Sequence, residues 1–127
     1  MPLDNVEIVR RAISAFNRGD LDAAMADWDP DIEWHQITAF PDRAVFRGPS
    51  EVRARLFEAQ LFDQLEGFQV EPEEFVEVGD HVILIGHIDG RGRGSGLRLR
   101  MRIVWLAKLR EGRIVWVYDC SGESRKP

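Results

Sequence analysis

The chain has 127 residues, 44% hydrophobic and 31% charged, with a formal net charge of -5. That length and balance fit a single domain over 1–127 whose core stands without metal or disulfide staples, and they exclude a disordered chain. The acidic excess argues against nucleic acid bound along the whole surface. No apolar run approaches the roughly 20 residues of a membrane span, and MPLDNVEIVRR lacks the uninterrupted apolar segment of a signal peptide. Cys120 is the only cysteine, which rules out an internal disulfide and makes a reducing, cytoplasmic location the expectation.

In DNVEIVRRAISAFNRGD, Val6, Val9, Ile13 and Phe16 recur at helical spacing, with Asp4 to cap the start and Gly19 to stop it. Asp20 caps a second helix, LDAAMADW, with Leu21, Ala24, Met25 and Trp28 on one stripe, and Asp29-Pro30 closes it because a residue before proline avoids the helical region. DIEWHQI is a short strand with Ile32, Trp34 and Gln36 on one face and Glu33, His35 and Ile37 on the other; TAFPDRAVFRG is a loop. After Gly48, with Ser50 as cap, a third helix carries Val52, Leu56, Ala59, Gln60 and Phe62 to about Leu65, and Gly67 ends it. From Phe68 the period is two, with turns at Gly79-Asp80, at GRGRGSG and at Glu111-Gly112, which reads as four antiparallel strands. Three helices and then a meandering sheet make an α+β fold in which the helices cover one face of a curved sheet.

Two of those strands carry the polar groups of interest. In VILIGHIDG, His81, Ile83, Ile85, His87 and Asp89 share a face; in GRIVWVYDC, Val115, Val117 and Asp119 oppose Ile114, Trp116 and Tyr118. If the first-named faces line one concavity, an imidazole and two carboxylates end an otherwise apolar wall. The alternative is that His87 and Asp89 form an ion pair near a strand end and only close the mouth of the sheet.

Other residues point to plainer roles. His35 faces away from Trp34 and belongs to a surface or interface, and His81 sits beside a turn. Histidines at 35, 81 and 87 have no metal-ligand spacing, so neither metal nor cofactor is expected. The run GRGRGSG before LRLRMR invites a nucleic-acid reading, but Leu97, Leu99, Met101, Ile103 and Trp105 alternate with Arg98, Arg100 and Arg102. That is a half-buried strand with a basic outer edge, whose arginines are expected to meet the acidic EPEEF segment, and no nucleic-acid partner follows.

Over nearly its whole length, through VEIVRRAISAFNRGDLDAAMADWDPDIEWH, FRGPSEVRARL and REGRIVWVYD, the chain resembles the SnoaL-like branch of the nuclear-transport-factor-2-like superfamily. The resemblance implies a cone-shaped α+β fold, mostly antiparallel, with about three helices over the concave face. It does not fix a reaction, because members include ketosteroid isomerase, polyketide cyclases, limonene epoxide hydrolase and scytalone dehydratase. The isomerase's general-base aspartate falls at Gln36 and its first-helix tyrosine at Ala12, so that chemistry is not implied. The epoxide hydrolase's Arg-x-Asp strand motif falls at His87-Ile88-Asp89, its last-strand aspartate at Asp119, and its water-holding tyrosine and asparagine at Trp34 and Gln36. Opening an epoxide needs one carboxylic acid to protonate the departing oxygen and one carboxylate to deprotonate water, with a cation such as His87 between them and Gln36 on the water.

The expected site therefore has Asp89, Asp119, His87 and Gln36 as catalytic groups. Trp34, Trp28, Phe16, Ile13, Ala59, Ile85, Met101, Ile103, Trp105 and Val117 are its expected lining, suited to a small apolar metabolite with one or two oxygens. The implied function is a cofactor-free acid/base enzyme of the hydrolase, isomerase or dehydratase type, or else a non-catalytic binding or dimerisation protein. Val104, Leu106, Ile114, Trp116 and Tyr118, facing away from the pocket, form an apolar patch that a homodimer through the convex sheet face would cover.

Overall fold

The opening helix pair forms where aspartates satisfy backbone amides that the helix leaves unpaired. The computed structural model describes residues 4–36 and 44–120. In it Asp4 Oδ1 accepts from the Glu7 N–H at 2.8 Å and opens α1 (Asn5–Asn17). Asp20 accepts from the Ala23 N–H at 3.1 Å and opens α2 (Leu21–Ala24). Between them Gly19 takes a φ of 80°, a conformation that favours glycine. Helix α2 is shorter than its apolar stripe implies, because Trp28 already begins β1 (Trp28–Gln36) and draws Asp29 and Pro30 into a strand. A residue before proline prefers extended backbone. The missing N–H of Pro30 falls where the pairing of β1 skips between Trp28 and Glu33.

Strand β2 (Ala44–Arg47) runs antiparallel to β1. Gly48, not Ser50, then caps α3 (Pro49–Glu51), with Pro49 at a first-turn position where no N–H is needed. The helix continues in π-helical turns over Val52–Phe62, ending with the Asp63 N–H donating to the Glu58 carbonyl. The wider turn buries Val52, Leu56 and Phe57, so Phe57 takes an inward place that ordinary helical spacing does not give it. The side chains of Ala59, Gln60 and Phe62 lie outside the described residues.

The four remaining strands are β3 (Leu65–Val78), β4 (His81–Gly92), β5 (Arg98–Arg110) and β6 (Arg113–Asp119). They turn at the three expected places, while Gly67 lies within β3 at an irregularity between Glu66 and Gln69. All six strands form one curved, open sheet in the order β2-β1-β6-β5-β4-β3, with β1 and β6 parallel and the other neighbours antiparallel.

Two local devices hold β3 against its neighbours, one on α1 and one on β4. The Asn17 side-chain amide donates to the Val70 carbonyl and accepts from the Val70 N–H, both at 2.8 Å, so the end of α1 pairs with β3 as a strand residue would. Gly86 lies where β3 bulges between Pro72 and Glu74; a Cβ there would fall inside contact distance of the Glu71 carbonyl oxygen.

Burial decides which face of the sheet is inside. On β4, Val82, Leu84 and Ile88 are buried while Ile83, Ile85 and His87 are half-exposed. The alternation expected on β4 is present, and its His87 face is the outer one. Among the described residues no helix is long and apolar enough to cross a membrane.

Candidate functional site

Strand register lays two rows of side chains across the concave face. One runs Trp34, Val117, Ala107, Val82 over β1, β6, β5 and β4; the next runs Gln36, Asp119, Trp105, Leu84. Over them lie Val9, Ala12, Ile13 and Phe16 of α1, Ala24 of α2 and Phe57, enclosing a cavity of about 60 Å³ also lined by Trp28 and Ile114. That is several times the roughly 10–15 Å³ that one water needs. The walls are interlocked aromatic rings: Trp34 stands edge-on to Trp105 at 5.4 Å and to Phe57 at 5.8 Å, and Phe16 packs on Phe57 at 5.1 Å.

Three buried polar atoms here have no hydrogen-bond partner among the described residues: Trp34 Nε1, Trp105 Nε1 and Gln36 Oε1. Nearly all buried polar groups are paired, so three unpaired atoms in adjoining rows set this part of the sheet apart from the rest of the core. Asp119 shares the face of Val117 and Trp105 and brings a carboxylate to the second row.

Of the four expected catalytic groups, the structure brings together Gln36 and Asp119 and separates the other two. His87 and Asp89 project from the outer face of β4, where His87 Nδ1 hydrogen-bonds Glu73. Asp89 accepts from Arg98 Nε and Nη2 at 3.0 and 2.9 Å and from Arg100 at 3.3 Å. Those Arg98 hydrogen bonds, opposed by partial burial and aided by the Arg98 and Arg100 charges, hold the Asp89 carboxyl below its ordinary pKa. The alternative pairing of His87 with Asp89 is not formed either, since each has its own partner. The basic strand edge meets EPEEF in part: Arg100 donates to Glu71 at 3.3 Å, whereas Arg98 turns to Asp89.

Of the expected lining, Ile13, Phe16, Trp28, Trp34, Trp105 and Val117 face the cavity. Ile85 does not, because it lies on the outer face of β4; Ile103 is buried in the core outside the cavity wall, and Met101, farther along β5, is 43% exposed. The Ala59 side chain is not among the described ones. Missed were Val82 and Leu84, which alternate with the residues chosen on β4, and Phe57, hidden by the π-helical turns. Ile114, expected on the convex face, lines the cavity instead. The pairing jumps from Lys108–Trp116 to Leu109–Ile114, leaving Val115 as the extra residue of a bulge that reverses the alternation.

The convex face carries an aromatic ladder. His35 stacks on Tyr118 with centroids 4.3 Å apart and planes at 9°, Tyr118 meets Trp116 edge-on at 4.8 Å, and Trp116 meets His81 at 5.4 Å. His35 Nε2 also hydrogen-bonds Glu33 at 2.9 Å; that bond, with help from Arg47, holds the Glu33 carboxyl below its ordinary pKa. Among the described residues no group of three or more His, Cys, Asp or Glu side chains is placed to hold a metal ion.

Residues 9–117 match the family model of the SnoaL-like domain, and the chain belongs to that family. Among solved structures it is similar to a nuclear-transport-factor-2-like protein of Burkholderia thailandensis E264, with 27% identity over 92% of this chain and 89% of that one and a TM-score of 0.81. A second such protein, from Burkholderia xenovorans LB400, is 28% identical over 91% of this chain and 86% of its own, with a TM-score of 0.71. TerC, co-crystallised with polyporic acid, shares the fold at 22% identity over 92% and 90% of the two chains, with a TM-score of 0.79. No curated protein sequence matches the chain.

Proposed function

We propose that this SnoaL-like protein binds a small, largely apolar molecule in the cavity between α1 and the sheet, and that Asp119 moves a proton on it. The observation that carries this reading is the row Gln36, Asp119, Trp105, in which one carboxylate and one amide adjoin a residue that lines the cavity. The cavity takes the carbon skeleton, Asp119 serves as general base or acid, and the Gln36 amide oxygen accepts from a bound hydroxyl or water. Asp89 lies on the opposite face of the sheet from Asp119, and among the described residues no second carboxylate joins Asp119 in its row, so an epoxide-opening pair built from Asp89 and Asp119 has no support. Isomerisation or dehydration needs only one such group. TerC, which shares the fold and was co-crystallised with polyporic acid, also supports a small-molecule site. Cytoplasmic residence goes with this reading through the lone thiol of Cys120.

The test is a screen of small unsaturated ketones, lactones and epoxides for turnover, followed by Asp119→Asn on any hit. A positioned acid or base is worth on the order of 10² to 10⁴ in rate, so the variant should lose that much of kcat while keeping the fold. Equal turnover by both chains would remove Asp119 from the chemistry. Apolar ligands that raise Tm equally in both, with no turnover, would make the chain a binding protein.

The aromatic ladder favours a second element of the reading, a twofold homodimer across the convex face. Ile83, Ile85, Val104, Leu106, Trp116 and Tyr118 lie there half-buried in the single chain and form one apolar surface over β4, β5 and β6. An isologous contact would cover the same patch on both copies.

A further inference from the structure

We propose that the indole N–H groups of Trp34 and Trp105 recognise the bound molecule, and that they select an uncharged ring ketone over a carboxylate, a phosphate or a plain hydrocarbon. This rests on the cavity-binding reading above and adds the chemistry of the ligand. Trp34 is 4% exposed and lines the cavity, and its Nε1 has no hydrogen-bond partner among the described residues. Trp105 stands edge-on to it, rings 5.4 Å apart at 77°, with its own buried Nε1 equally unpaired. An indole nitrogen donates and does not accept, and a buried donor left without an acceptor is costly. The pair therefore favours an occupant that brings lone pairs, and a carbonyl oxygen carries two.

Charge is disfavoured by the same walls. Among the described residues that line the cavity none is charged, so an anion would exchange its hydration for neutral donors only. The Asp119 carboxylate in the adjoining row would repel it further. The flat rings of Phe16, Trp28 and Phe57 offer stacking surfaces to a cyclic skeleton. Gln36 Oε1, an unpaired acceptor, adds a place for a hydroxyl on the same molecule.

The experiment titrates 1-tetralone, its hydrocarbon counterpart tetralin, and the anion 1-naphthoate into the full chain, following heat and the indole N–H resonances by ¹⁵N NMR. Tetralone should bind about tenfold more tightly than tetralin, the effect of one to two net hydrogen bonds, and naphthoate should not bind. The Trp34 and Trp105 Nε1–H resonances should move downfield with tetralone and stay in place with tetralin. Trp34→Phe and Trp105→Phe keep a ring and remove the donor, and each should cut the preference for tetralone over tetralin by about three- to tenfold. Equal affinity for tetralone and tetralin, or naphthoate binding as tightly as tetralone, overturns the donor assignment and leaves the cavity reading standing. Failure of all three compounds to bind overturns both. Should either variant misfold by circular dichroism, the indole shifts in the unmodified chain decide: unmoved resonances in a tetralone complex sink the proposal.

Discussion

Asp89 and Asp119 stand on opposite faces of one sheet, and their neighbours set what each carboxylate can do. Asp89 is held by Arg98 and Arg100 on the outer face, away from the apolar cavity. Its folded pKa lies below the unfolded one, so its stabilisation is complete above the unfolded value of about 3.9 and is lost as pH falls through the folded one. Asp89→Asn should therefore lower Tm by a few degrees at pH 7, and the gap to the unmodified chain should close below about pH 4. A thermal melt series from pH 2.5 to 7 checks this, and a gap independent of pH would mean that the Arg98 contact contributes nothing through charge. Binding in the cavity should be unaffected. Which residues share a face was legible in the period of β4, but which face turns inward was not. Both sets on that strand are apolar, Val82 and Leu84 against Ile83 and Ile85, and the polar residues His87 and Asp89 follow the outer set. On this strand the polar residues form an ion-pair network outside the apolar cavity.

Elements bounded by a capping or turn residue were readable, and those set by long-range contacts were not. Asp4, Asp20 and the turn at Glu111-Gly112 act locally and do what their chemistry implies. The brevity of α2, the bulge at Val115 and the π-helical turns over Val52–Phe62 depend on what each segment packs against, which no short window of sequence records. The Asn17 clasp on Val70 belongs to this second class. Asn17→Ala leaves a partly buried N–H and carbonyl on β3 unpaired and should cost roughly 1–3 kcal/mol in urea denaturation. A loss under a few tenths would show that water replaces the clasp freely. Gly86→Ala drives a methyl group into the Glu71 carbonyl, where the neighbour is backbone and cannot swing aside. It should destabilise by about 1–3 kcal/mol through displacement of the β3 bulge, and an unchanged urea midpoint would show that the bulge yields without strain.

At the scale of the molecule, the convex face predicts assembly. Light scattering at micromolar concentration should give twice the 14.6 kDa mass of the chain, and Trp116→Glu, which plants a charge in the middle of the aromatic ladder, should halve it. A dimer indifferent to that substitution would have its contact elsewhere. The strand order carries one more consequence, for the path by which the molecule forms. Strand β6 comes last of the six in the chain yet sits between β1 and β5, near the middle of the sheet. Until it docks, the β1–β2 ribbon and the β3–β5 meander share no ladder, and the cavity lacks Ile114 and Val117 from its floor. Pairing elements so distant in sequence makes for slow folding. On a ribosome the first half must wait with its apolar face uncovered until β6 emerges, so sheet and cavity are completed in the same late step.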